Sequence, residues 1–219
     1  MQRKLAGSTA EVRREGEGSQ EAQRHREEIL DAAADEFGAR GYKGAHSEDI
    51  ARRAGISKGL LFFYFHNKRE LYLSVVERLT AQVEPLVIDE GFWAIDDFFD
   101  RILYAVDKRA DVLTRFPRLM AFSVRAFYPE HRDVRDAMGR WIQRWIDTAL
   151  PRYFHGVDLG RFRDDVSPSE VMNWLIWLAD GYMHARRSVG RDVDLAELLE
   201  QCRRWCAMLR GYAYKEEYR

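Results

Sequence analysis

Between Ala51 and Arg69 the chain carries Arg52, Arg53, Lys58, Lys68 and Arg69 and no Asp or Glu. The chain holds 36 acidic residues among 219, so an acid-free run of this length stands out. The chemistry it suits is electrostatic rather than covalent. Guanidinium and ammonium groups neutralise phosphates and release the counterions condensed on DNA, which supplies most sequence-independent affinity. A lysine at the start of a short helix can also donate to guanine O6 and N7. The same run fits a second reading, a helical hairpin with a solvated basic face.

Other reactive residue types are sparser. Asp180 and His184 are four apart and share a helix face. They can bind a cationic or hydrogen-bonding ligand, meet across a dimer axis, or satisfy each other. A metal needs about two further ligands, which no neighbouring spacing supplies. Arg115, Arg118 and Arg125 surround Pro117 and suit an anionic effector or a solvated face. Cys202 and Cys206 are neighbours on one helix face, with Cβ vectors too parallel for a disulfide. They read as small buried residues, with a thiol sensor as the alternative. There is no Gly-rich phosphate loop, His/Cys metal cluster or nucleophile elbow. The chain therefore reads as a binding protein, with no enzymatic activity, cofactor or metal expected. A helical enzyme or a protein-interaction adaptor with an incidental basic hairpin is the alternative.

The elements that must position these residues are helical throughout. The five prolines stand at 85, 117, 129, 151 and 168, so none interrupts the first 84 residues. No segment alternates with period two. Ile29, Leu30, Ala33 and Phe37 give a first helix over Glu21–Ala39, stopped by Gly41. Short helices follow over Ser47–Ala54 and Lys58–Phe63, broken by Gly55, with Ser57 capping the second. Asn67 caps a longer helix to Glu84. Further helices are expected over Asp96–Arg115, Pro117–Phe127, Glu130–Phe154, Pro168–Val189 and Asp194–Tyr214. That makes an all-α chain of about nine helices. All six tryptophans follow Pro85, which marks a domain boundary near Pro85–Gly91. Residues 1–19 hold little to bury and read as a flexible arm.

Composition sets bounds on this picture. Hydrophobic residues make up 46% and the net charge is −1, which excludes a strongly basic nucleic-acid wrapper and an acidic disordered tail. No apolar run reaches the roughly 18 residues of a membrane span, and no signal peptide is apparent. With only two cysteines, a cytoplasmic protein without membrane partners is expected.

Residues 29–76 resemble the N-terminal domain of the tetracycline-repressor (TetR) family. The marks are Ala32-Ala33, Phe37, Gly41-Tyr42, Asp49-Ile50-Ala51, Ala54-Gly55, Ser57-Lys58-Gly59, Leu61, Tyr64-Phe65 and Lys68. The resemblance implies a helix-turn-helix DNA-binding domain over 20–88 and a helical effector-binding and dimerisation domain over 89–219. It implies a sequence-specific transcriptional regulator, most often a repressor, released from a palindromic operator by a small-molecule effector. The DNA-contacting set is then His46, Ser47, Ser57, Lys58, Gly59, Leu60, Phe63, Tyr64 and Lys68. Leu61 and Phe65 face the core with Ile50 and Ile56. Phe62 and Phe63 depart from the family in lacking a hydroxyl for phosphate. His46 stands where Ser or Thr usually caps the first short helix; either Ser47 takes over the cap and one phosphate bond, or His46, if protonated, contacts phosphate directly. Glu48 carries the wrong sign for phosphate; it reads as a solvated side chain, with acceptance from a cytosine amino group as the alternative.

The resemblance also implies an effector pocket in the second half. Phe99, Leu103, Phe122, Tyr128, Trp141, Trp145, Trp177, Asp180 and His184 are its candidates, with packed core as the plain alternative for each aromatic. The last two helices would form a hairpin whose apolar surface either pairs with a second copy as a four-helix bundle or only closes the monomer's own core. Such a homodimer would set two recognition helices about one turn of DNA apart.

Overall fold

A computed structural model describes the backbone of residues 3–116, 122–123, 131–191 and 194–219, and side chains from residue 20 onward. Among the described residues there are nine α-helices and no strand. They are α1 (Arg3–Gly44), α2 (Ser47–Arg53), α3 (Lys58–Tyr64), α4 (Lys68–Val87), α5 (Glu90–Ala94), α6 (Phe98–Arg115), α7 (Arg132–Phe154), α8 (Pro168–Ser188) and α9 (Leu195–Ala213). The expected helix over Pro117–Phe127 lies almost wholly outside the described residues. The single turn α5 is additional; Asp89 caps it by accepting from the Phe92 amide at 3.0 Å.

α1 begins at Arg3, over the stretch that the sequence reads as an arm. The physical reason is propagation. Once the apolar face from Ile29 to Phe37 has nucleated a helix, each added residue gains a backbone hydrogen bond for little further ordering. Gly41 breaks the geometry with φ 66°, a value a side chain resists, and redirects the chain toward α2. α4 runs through Pro85 to Val87; a proline this close to a helix end disturbs only the last turn.

Two compact units result. The first is Met1–Leu79 with Arg118–Met138, and the second is Thr80–Pro117 with Gly139–Arg219. The division falls inside α4, six residues before Pro85, and the first unit takes in part of what the sequence assigns to the second half. In the first unit Ile29, Ala33 and Phe37 of α1 are buried, with Ile50 of α2, Leu61 of α3, Phe65, and Leu71 and Val75 of α4. Tyr72 extends this core to Phe122, with ring centroids 5.5 Å apart. The second unit packs Phe98, Phe99 and Ile102 of α6 against Phe162, Val171, Cys206, Leu209 and Tyr214.

The second unit also buries a cation. Arg101 is only 1% exposed. Its Nε donates to the Ile95 carbonyl at 2.8 Å, and its NH1 donates to the carbonyls of Tyr153 at 3.3 Å and His155 at 2.5 Å. One guanidinium thus closes the ends of α5 and α7 onto α6.

Candidate nucleic-acid interface

The α2–α3 corner is built by local bonds that the sequence specifies. After Arg53 the Gly55 amide donates to Arg52 O at 3.2 Å, and the Ile56 amide donates to Ala51 O at 3.0 Å. This paired closure satisfies the last carbonyls of α2 and needs a left-handed residue, which Gly55 supplies at φ 68°. Ser57 then accepts from the Leu60 amide at 3.1 Å and starts α3. Asn67 starts α4 in the same way, accepting from the Glu70 amide at 2.9 Å.

α3 is anchored by Leu61 and by Phe65 just beyond its end, both fully buried, while Ile56 is half-buried. Its outer face carries Lys58, Gly59 and Phe63. Phe63 is 77% exposed. The exposed ring leaves an apolar side chain free on the outer face of this short helix. A Cβ added at Gly59 would meet nothing closer than Ser57 Oγ at 3.8 Å, so the chain's own packing does not require glycine there. Leu60 and Tyr64 are half-buried beside this face. Tyr64 contacts Phe63 and His25 with centroids 5.7 and 6.5 Å away.

Charge on this corner is largely partnered. Arg53 pairs with Asp35 at 3.1 Å, Arg52 pairs with Asp49, and Lys58 pairs with Glu48 across the two helices. Asp49 also receives Arg40 at 3.2 Å. The acid-free run is therefore matched by carboxylates from α1 and from the start of α2. Arg69 is exposed.

Three residues stand differently from their sequence reading. Lys68 turns inward. Its Nζ donates to the Ala45 carbonyl at 2.5 Å and lies 4.9 Å from the centre of the Tyr42 ring. Burial pushes its pKa below the ordinary lysine value, against the pull of Glu36. Ser47 does not cap α2. The cap position is His46, at φ −110° and ψ 128°, and no side chain bonds to the helix start there. Ser47 is already the first helical residue and is buried, because its neighbours Ala45 and Ile50 draw that end of α2 onto the core. Glu48 is not a free solvated acid. The Lys58 ammonium holds its carboxyl below the ordinary range.

The effector candidates do not converge among the described residues. Phe99 is fully buried in the second unit's core against Phe162 and Tyr214, where the ring is packing. Phe122 belongs to the first unit, beside Tyr72. Trp141 is buried and Leu103 and Trp145 are half-buried, whereas Trp177, Asp180 and His184 are exposed on α8. Tyr128 lies outside the described residues, as do Arg118 and Arg125; Arg115 is exposed. A shallow groove of about 270 Å³ lined by Glu84, Pro85, Ile88, Trp93 and Arg152 involves none of them. Sequence reasoning missed that groove because its lining comes from three helices. No group of three or more potential metal ligands occurs among the described residues. Both cysteines are free thiols, and burial pushes Cys206 up to about 12. No described helix is long and apolar enough to cross a membrane.

Comparison with known proteins decides the family. The model of bacterial regulatory proteins of the tetR family matches residues 29–75, which span α2 and α3. The transcriptional repressor AcnR of Corynebacterium diphtheriae is 31% identical over 175 residues, covering 78% of this chain and 85% of that protein. The chain belongs to the TetR family. It is a DNA-binding transcriptional regulator, and the α2–α3 corner is its helix-turn-helix. The chain also resembles the transcriptional activator FasR of Mycolicibacterium smegmatis, 47% identical over 53 residues, 24% of each chain. The fold matches that of FadR from Bacillus halodurans with a TM-score of 0.64 at 17% identity, over 84% of this chain and 97% of that one.

Proposed function

We propose that the chain is a transcriptional repressor that binds a palindromic operator as a homodimer and is released by a small-molecule effector. The observation that carries the reading is the outer face of α3, where Lys58, Gly59 and exposed Phe63 project from a helix locked to the core by Leu61 and Phe65. Seven residues of helix measure about 10 Å, which a major groove about 12 Å wide accepts. Lys58 donates to guanine, Gly59 admits the DNA backbone, and Leu60 and Phe63 offer apolar contact to thymine methyls. His46, Ser57 and Tyr64 flank them toward phosphate. Ser47 and Lys68 support the corner from inside.

Repression, rather than activation, follows the likeness that spans most of the chain, to a protein named as a repressor; the likeness to an activator covers only 53 residues. Pairing through α8 and α9 is supported by Trp177, Met208 and Tyr212, which stay 65%, 57% and 50% exposed. Two such faces packed about a two-fold axis give an isologous four-helix bundle. An effector site in the second unit would draw on Leu103 of α6 and on Trp141 and Trp145 of α7. The effector acts by favouring a dimer spacing that no longer fits both half-sites. The protein works in the cytoplasm, where its DNA is.

Selection from a pool of randomised duplexes, followed by anisotropy titration at moderate salt, tests this. An inverted repeat is expected to be enriched, and Lys58→Ala should relax preference at one position in each half-site by about 1–3 kcal/mol. Uniform affinity for all sequences, unchanged by the substitution, would overturn the reading.

A further inference from the structure

Glu48 is the second residue of α2 and Lys58 the first of α3, and their side chains close an ion pair across the helix-turn-helix. Both are exposed, so nothing in the core demands the contact. Lys58 Nζ also lies 6.0 Å from the centre of the Phe62 ring, which leaves the ammonium held from two sides. A carboxylate on a surface that meets phosphates is unfavourable by charge alone. We propose that Glu48 is a specificity-determining residue, which masks Lys58 from phosphates while leaving it able to read a guanine. The proposal rests on the DNA-binding reading above.

The discrimination follows from the donor count. An ammonium has three N–H donors and no acceptor. In the major groove one donor can stay on Glu48 while the others reach guanine O6 and N7, which are neutral acceptors. The pair then reads the base edge as a unit of zero net charge. On the phosphate backbone the situation differs, because phosphate and Glu48 are both anions competing for one cation. Any phosphate contact by Lys58 must either break the pair or bring Glu48 toward like charge. Glu48 therefore weakens binding to every sequence and is compensated only where a guanine is correctly placed, a repulsive element of the kind that sharpens partner choice. An exposed ion pair is weak in water, so the effect is a modest factor rather than a switch.

The test uses the full chain, a duplex selected by the wild-type protein from a randomised pool, and a scrambled duplex of the same length. Glu48→Gln keeps the side-chain shape and removes the charge. It is expected to tighten binding to the scrambled duplex by about fivefold and to steepen its salt dependence by about one phosphate equivalent. Affinity for the selected duplex should change by less than about twofold. In a Lys58→Gln background the same substitution should gain less than about twofold on the scrambled duplex, because no cation remains to be released. Equal tightening on both duplexes, or a full gain in the Lys58→Gln background, would show a plain loss of repulsion and overturn the proposal. Wild-type selectivity with no effect of Glu48→Gln on either duplex overturns this proposal alone. Failure of the wild-type protein to retain any duplex overturns the DNA-binding reading beneath it.

Discussion

Replacing Lys68 by methionine separates two roles that the residue could fill. Its ammonium donates to the Ala45 carbonyl at 2.5 Å and sits 4.9 Å from the Tyr42 ring centre, tying the start of α4 to the segment that enters α2. Methionine keeps the stem and loses both contacts. A hydrogen bond to a charged group contributes about 1.5–3 kcal/mol and an exposed cation–π contact about 0.5–1 kcal/mol. Relief of the lysine's desolvation offsets part of this, leaving a loss of about 2 kcal/mol. For a chain of this length that lowers the thermal midpoint by about 4–8 °C, read by far-UV circular dichroism. All six tryptophans lie in the second unit, so tryptophan fluorescence is the internal control. The sign with pH is also fixed. Burial lowers the Lys68 pKa, so the unfolded chain holds that proton more tightly, and the penalty of the substitution grows as pH rises toward 10.5. The salt slope of DNA binding, measured well below the midpoint, should stay unchanged. An unchanged midpoint with a slope reduced by about one unit would refute the reasoning and make Lys68 a phosphate ligand.

Arg101→Met should destabilise the second unit by about 3–5 kcal/mol, because it strips the partner from the carbonyls of Ile95, Tyr153 and His155; urea titration followed by tryptophan fluorescence reads it. Cys206, with its pKa pushed up to about 12, should resist thiol-specific reagents in the native chain at pH 8 and react at once in denaturant. The same shift means that stability present below pH 9 declines as pH rises from 9 toward 12, since the unfolded thiol ionises first. If α8 and α9 pair as proposed, Trp177→Glu should give a monomer by light scattering and weaken operator binding while leaving the far-UV spectrum intact.

Much of the helix-turn-helix is written locally, and that is why it was legible. Ser57 and Asn67 bond three residues ahead, Gly55 supplies a left-handed turn, and Leu61 and Phe65 are one helical turn apart; none of these needs knowledge of a distant element. The partners of the basic run were not legible for the opposite reason. Arg53 meets Asp35 eighteen positions away and Lys58 meets Glu48 ten positions away, and such pairings follow from how helices cross. Lys68 reads as a surface cation because it precedes a polar turn, yet Gly41 bends the chain so that Ala45 O lies under it. α5 escaped notice because five residues hold too little periodicity. Aromatic residues alone could not separate core from lining: Phe99 is packing and Trp177 is surface, although both are large and apolar. Ser47 does not act as a cap because it is the first helical residue, where the expected span Ser47–Ala54 already begins.

The claim that the α2–α3 corner meets DNA is tested most directly by hydrogen exchange of the full chain, read by mass spectrometry, with and without the selected duplex. Protection should concentrate in peptides covering residues 44–69, with the amides of Lys58, Gly59 and Leu60 slowed most. Protection confined to the second unit, with residues 44–69 exchanging as in the free protein, would contradict the account.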